Sequence, residues 1–75
     1  MPSLRQVSGQ EAIRALEHLG FVQMRQRGSH VVLKKITAEG AVGCVVPLHT
    51  ELAIGTLRSL LKQANVSPDE FMANL

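Results

Sequence analysis

The sequence lacks tryptophan and tyrosine, and it has only two phenylalanines and one cysteine, Cys44. With so few aromatic rings, a hydrophobic core must be built from aliphatic side chains. A single cysteine excludes an internal disulfide. Its apolar neighbours Val42, Val45 and Val46 predict a buried, reduced thiol, which indicates a cytosolic compartment.

Long apolar runs are also missing. None approaches the roughly 20 residues that a membrane-spanning helix needs, and the segment from Met1 to Gln10 is polar, unlike a signal peptide. We therefore expect a soluble, cytoplasmic protein with no membrane partner. The three histidines have no close spacing and no cysteine pair beside them, so we expect no metal site.

Size and charge set further bounds. A chain of 75 residues, 45% of them hydrophobic, predicts one domain spanning residues 1–75, just large enough to bury its own core. The formal net charge is +2 and the pI is near 9.2. This mild excess of positive charge is compatible with an anionic partner but is too small to establish one.

A capping box predicts the first helix. The hydroxyl of Ser8 can accept a free amide of the first turn, while Glu11 reaches back to the cap. Apolar residues then recur at spacings of three and four, and Gly20 supplies the left-handed residue that commonly follows a helix. We expect this helix over about residues 9 to 19.

After Phe21 the apolar period changes to two, which predicts β-strands. Strands over residues 21–27 and 30–36 should form an antiparallel hairpin around Gly28-Ser29. After a turn at 37–40, a third strand is expected over 41–46 and should end at Pro47.

Two helices are predicted after the strands. One should begin near Gly55-Thr56 and stop at Asn65, and a short one should follow over about residues 68 to 74. The order α-β-β-β-α-α predicts an α+β fold, in which helices pack on one face of a three-stranded antiparallel sheet. The other face lies open.

Strand alternation predicts what the open face carries. Val22 and Met24 should face the helices, as should Val31 and Leu33. Val32 is then left outward, and an exposed valine among basic residues suits a partner-binding surface. The polar side chains expected on the open face are Gln23, Arg25, His30 and Lys34.

Five segments together carry a resemblance to a known family: 8–11, 20–21, 25–30, 46–49 and 55–64. In this order they resemble the HicA-type toxins, small ribonucleases of bacterial toxin–antitoxin pairs whose fold is related to double-stranded RNA-binding domains. The resemblance covers nearly the whole chain. It departs at Asn65, where glycine is more usual, and in a slightly longer, less basic turn at 37–40.

The resemblance implies the function of a type II toxin that acts as an endoribonuclease, or mRNA interferase. The family's catalytic histidine lies in a Gly-Ser-His motif, which here is Gly28-Ser29-His30. A HicB-type antitoxin would silence the toxin by binding its active surface. We therefore expect a monomer when the chain is free and a hetero-oligomer with the antitoxin.

The chemistry of RNA cleavage asks for few protein groups. RNA supplies its own nucleophile, the 2′-hydroxyl, so a histidine that exchanges protons near neutral pH and some positive charge can suffice. We expect His30 to act as base or acid and to form a cyclic phosphate product without metal or cofactor. The residues expected to bind RNA are Arg25, Arg27, Gly28, Ser29, Lys34 and Lys35.

Plainer interpretations stay open at several of these positions. The basic residues could be a solvated sheet face, and Gly28-Ser29 could be only a hairpin turn. His49 could be a second catalytic group, although orienting its loop or capping a helix is the simpler role. His18 fits a favourable partner of a helix dipole. The alternative function is a non-catalytic RNA- or protein-binding module of the same fold.

Overall fold

The computed structural model describes residues 4–75, so the first three residues of the polar amino-terminal segment lie outside it. The order α-β-β-β-α-α is confirmed, and every predicted element is present within one or two residues of its expected ends. The elements are α1 (Gly9–His18), β1 (Val22–Arg27), β2 (His30–Thr37), β3 (Gly40–Pro47), α2 (Ile54–Ala64) and α3 (Pro68–Ala73).

The three strands form one antiparallel sheet in the order β1-β2-β3, with β2 in the centre. Local chemistry places the boundaries of the elements. Ser8 and Ser67 both form complete capping boxes, at α1 and α3. Asn65 ends α2 in the left-handed conformation, with φ of 59°. The fold is thus α+β, with a sheet like that of double-stranded RNA-binding domains.

The core lies between the helices and one sheet face. Its largest fully buried side chains come from both the helix layer and the sheet. Each layer therefore needs the other to bury its apolar face. Leu33 and Cys44 are paired across β2 and β3 and are both buried on this side. Burying one leucine contributes about 1.5–3 kcal/mol. The largest of these side chains are Phe71, Leu16, Leu33, Leu52, Leu57 and Leu61.

The predicted orientation of β1 was wrong. Val22 and Met24 do not face the helices, because 59% and 56% of their surfaces are exposed. A β-bulge between Gln23 and Arg25 is the reason, since it adds one residue to β1 and breaks the simple alternation. Gln23 pairs with the buried Leu33 and therefore lies on the helix side of the sheet, not on the open face.

The start of α1 lies against the end of β3. The N–H of Gly9 donates to the carbonyl oxygen of His49 at 2.9 Å. A side chain at Gly9 would have its Cβ only 2.9 Å from Leu48 Cα and would collide with the carbonyl of Pro47. Only glycine permits this approach without a shift of the backbone.

The helices are short. In the described part of the chain, none has both the length and the apolar character needed to cross a membrane.

Candidate functional site

A tight turn at the tip of the β1–β2 hairpin presents the predicted catalytic histidine. Arg27 pairs with His30, which leaves Gly28 and Ser29 as the two turn residues. Gly28 has φ of 56°, and a positive φ at the first turn residue is what a type II′ turn requires. The glycine is therefore needed for the backbone path of the turn.

Two hydrogen bonds hold this turn in place. The side-chain amide of Gln26 donates to the carbonyl oxygen of Gly28 at 2.9 Å. The carbonyl oxygen of Ser29 accepts from the N–H of Leu48 at 2.6 Å. The second bond ties the turn to the loop that follows β3, so His30 begins its strand from an anchored backbone.

His30 lies on the open face, between Arg27 on β1 and Pro47 on β3. Side chains of directly paired antiparallel residues have Cβ atoms about 4.5–5.5 Å apart, so His30 and Arg27 are neighbours. Arg25 pairs with Val32, the next residue of β2 on the same face. The structure thus brings His30, Arg25 and Arg27 together as an exposed group, which we call the tip site.

The two predicted lysines are placed differently. Lys34 shares the open face with His30 but lies four residues along β2, at a distance of roughly 13 Å. Lys35 lies on the helix side, with its Nζ 5.9 Å from the centre of the Phe21 ring. Lys34 can therefore extend the tip site along a bound chain, whereas Lys35 is not part of it.

The other two histidines lie near opposite ends of α1. His49 is exposed, and it follows Leu48 in the loop that is bonded to the turn. Its carbonyl oxygen accepts from the N–H of Gly9 at 2.9 Å, which fixes the backbone of this loop. His18 lies at the carboxyl end of α1, where its Nδ1 is 3.0 Å from the carbonyl oxygen of Asn74.

The open face also carries apolar side chains that sequence reasoning assigned wrongly or missed. Ile36 is 79% exposed, the largest value among the large hydrophobic residues of the described chain. Val22, Met24 and Val45 are exposed too, while Val32, expected to be exposed, is half-buried. The bulge in β1, which leaves no clear signal in the sequence, brings Met24 to this side.

Two titratable groups have altered pKa values. Burial raises the pKa of the Cys44 thiol from 9.0 to about 11, so this buried thiol is protonated and unreactive at neutral pH. The hydrogen bond from the Ser8 backbone lowers the pKa of Glu11, which belongs to the capping box of α1. Among residues 4–75, no three His, Cys, Asp or Glu side chains lie together as ligands for a metal ion.

Comparison with known proteins identifies a family for this arrangement. A family model described as the HicA toxin of bacterial toxin–antitoxin systems matches residues 9–66. No curated protein matches the chain. The matched segment begins with α1 and ends just beyond α2, so it contains the whole sheet and the tip site. The chain belongs to the HicA toxin family of bacterial toxin–antitoxin systems.

Proposed function

We propose that this toxin is a cytoplasmic endoribonuclease that cleaves mRNA at the tip site without a metal ion, and that a HicB-type antitoxin inhibits it. One observation carries the catalytic part of the proposal. Among residues 4–75, the only histidine on the sheet starts β2 at an anchored turn, where it is exposed to solvent and next to two arginines.

The tip site holds the two kinds of group that this cleavage needs. His30 takes a proton from the 2′-hydroxyl, whose oxygen attacks the adjacent phosphorus, and the bond from phosphorus to the 5′-oxygen breaks. The leaving oxygen takes up a proton. The products are a 2′,3′-cyclic phosphate and a free 5′-hydroxyl. Arg25 and Arg27 stabilise the charge that builds on the phosphate oxygens.

The turn residues and Lys34 complete the proposed binding surface. Gly28 has no side chain, so a phosphate can approach its backbone closely. The hydroxyl of Ser29 can donate to a phosphate oxygen. Lys34 lies further along the same face and can bind a phosphate outside the cleaved bond. Its charge is expected to affect affinity more than rate, since it lies far from His30.

The apolar side chains of the open face support an antitoxin partner. Val22, Met24 and Ile36 are exposed around Lys34 on the open face, and Lys34 lies roughly 13 Å along β2 from His30. RNA contacts alone do not require such a cluster, whereas protein interfaces are typically built on apolar centres. A HicB-type antitoxin that covers this cluster and extends roughly 13 Å further along the open face would also block access to His30.

The same cluster favours a second candidate, a non-catalytic binding module that uses the open face for RNA or protein. The two candidates differ at His30. An enzyme loses nearly all activity without it, whereas a binding module tolerates alanine or glutamine there with little loss.

The test is cleavage of a long RNA in the presence of EDTA. The native chain is compared with His30→Ala and with a control variant, His18→Ala. His18 lies at the carboxyl end of α1, outside the tip site. We expect the native chain and His18→Ala to cut and leave cyclic phosphate ends, and His30→Ala to lose at least about a hundredfold in rate. If the native chain binds RNA as His30→Ala does and neither cuts, the binding module is the correct function.

A further inference from the structure

Strand β1 is unusual because all six of its residues are exposed. On the helix side of the sheet, where β2 and β3 supply core residues, β1 carries the glutamines Gln23 and Gln26, which pair with Leu33 and Val31. Helix α1 packs more extensively against β3 and α3 than against β1. The strand therefore extends beyond the edge of the helix layer as an overhang, and its helix-side face is exposed to solvent.

This overhang creates a groove between β1 and α1, which we call the β1 groove. Its volume is about 300 Å³, at the lower end of the range for small-molecule sites. Apolar atoms of Ile13, Val31 and Leu48 line it, and the side chains of Gln10 and Gln26 border it. Polar atoms make up most of this lining and apolar atoms a smaller part, so the groove suits the polar edge of a flat heteroaromatic ring.

The β1 groove and the tip site share one hairpin tip. Gln26 precedes Arg27, and Val31 follows His30, so these two groove residues are each one strand position, about 3.3 Å, from a residue of the tip site. Their side chains point to opposite sides of the sheet. A single-stranded nucleic acid that passes around the edge of β1 can therefore place a phosphate at His30 and a neighbouring base in the groove.

The polar groups of the groove have unused hydrogen-bonding capacity. Gln26 donates one N–H to Gly28, which leaves its second N–H and its carbonyl oxygen free. No hydrogen bond within the described chain occupies the exposed amide of Gln10. Arg14 adds positive charge at the rim, while Glu17, the one carboxylate, is 3.4 Å from the amide of Gln23. Such amides can pair with the edge of a base in a specific geometry.

We propose that the β1 groove binds an unpaired base of the RNA next to the cleaved phosphate, with Gln10 and Gln26 as specificity-determining residues. This inference rests on the proposed ribonuclease function. The exposed arginines on the same strand favour RNA over a protein as the occupant, because they bind the phosphates that a base brings with it.

The first test maps the cut positions on a long RNA for the native chain, Gln10→Ala, Gln26→Ala and Gln63→Ala. Gln63 is the matched control, an exposed glutamine of α2 outside the groove. We expect the groove variants to lose about fivefold to a hundredfold in preference between the best and the worst base beside the cut. Gln63→Ala should keep the native pattern. Gln10→Ala is decisive, because Gln26 also supports the turn.

A second measurement separates this inference from the proposed function. Oligoadenylate and oligouridylate carrying 2′-O-methyl groups cannot be cleaved, so their binding to the native chain can be followed by the NMR amide shifts of Ile13 and Val31. If the native chain cuts RNA but Gln10→Ala keeps the native cut pattern, the groove proposal is overturned and the ribonuclease stands. If nothing is cut, groove shifts on binding still support the groove, and their absence overturns it.

Discussion

The substitution Gly9→Ala should destabilise the protein, although alanine favours helices over glycine. The new Cβ would lie 2.9 Å from Leu48 Cα and 3.0 Å from the carbonyl carbon of Pro47, and would collide with its oxygen. These are backbone atoms, so a side-chain rotation cannot relieve the contact. Overpacking of this kind costs about 1–3 kcal/mol, against a gain of about 0.5–1 kcal/mol in helix propensity.

The difference between these ranges is a net loss of up to about 2.5 kcal/mol in the free energy of unfolding, and we expect the upper part, about 1–2.5 kcal/mol, because the contacts are with backbone atoms. This lowers Tm by roughly 4–20 °C in a chain of this size. Urea unfolding followed by circular dichroism measures it as a lower midpoint at an unchanged slope. The same displacement should reduce RNA cleavage, because Gly9 donates to His49 and the adjoining Leu48 donates to Ser29 of the turn.

Gly55→Ala is the matched control. Gly55 also lies in the first turn of a helix, but a Cβ there has no atom within 4 Å. This variant should be more stable than the native chain by up to about 1 kcal/mol. If Gly9→Ala were as stable as the native chain, or if both variants changed the free energy of unfolding in the same direction, the close approach of α1 to β3 would not be the reason that glycine is needed at residue 9.

Four further outcomes are expected. Ile36→Asp should change the free energy of unfolding by less than about 0.5 kcal/mol, because the side chain is 79% exposed. The same substitution should weaken binding of a HicB-type antitoxin at least about tenfold in calorimetry, and unchanged binding would place the interface elsewhere. Asn65→Ala should lower stability by about 1 kcal/mol and Asn65→Gly should not, since the φ of 59° penalises a Cβ; equal Tm values would contradict this. Burial raises the pKa of Cys44 above its unfolded value, so the protonated thiol contributes stability that is fully present below pH 9.0 and is lost as pH rises through about 11. Between pH 9.0 and about 11, the free energy of unfolding in urea should therefore depend less on pH for Cys44→Ala than for the native chain. His49→Ala should keep most of the cleavage rate if its backbone alone orients the loop, and a loss as large as that of His30→Ala would make it catalytic.

Local signals were sufficient for the secondary structure. The capping boxes at Ser8 and Ser67 and the left-handed residue Asn65 act through contacts within a few residues, so they can be recognised without the fold. The Gly28-Ser29 turn is of the same kind, because a positive φ at glycine is a local property. The placement of His30 on the open face followed from the alternation along β2, which has no bulge.

The candidate site was less completely predictable. Arg25 and Arg27 were expected beside His30 and lie there, but Lys35 lies across the sheet over Phe21. The bulge in β1 decided the positions of Met24 and Gln23, and it depends on pairing with β2 rather than on β1 alone. No alternation pattern within six residues could reveal it.

By itself, the sequence determined the order of the elements, their ends, the tip turn and the family resemblance, because each rests on short-range chemistry or on a linear motif. The tertiary structure alone decided three things: the overhang of β1, the exposed apolar cluster around Lys34 on the open face, and the glycine contact between α1 and β3. All three depend on how separate elements pack. Packing is set by distances between residues far apart in the chain, and those distances are not encoded in any one segment.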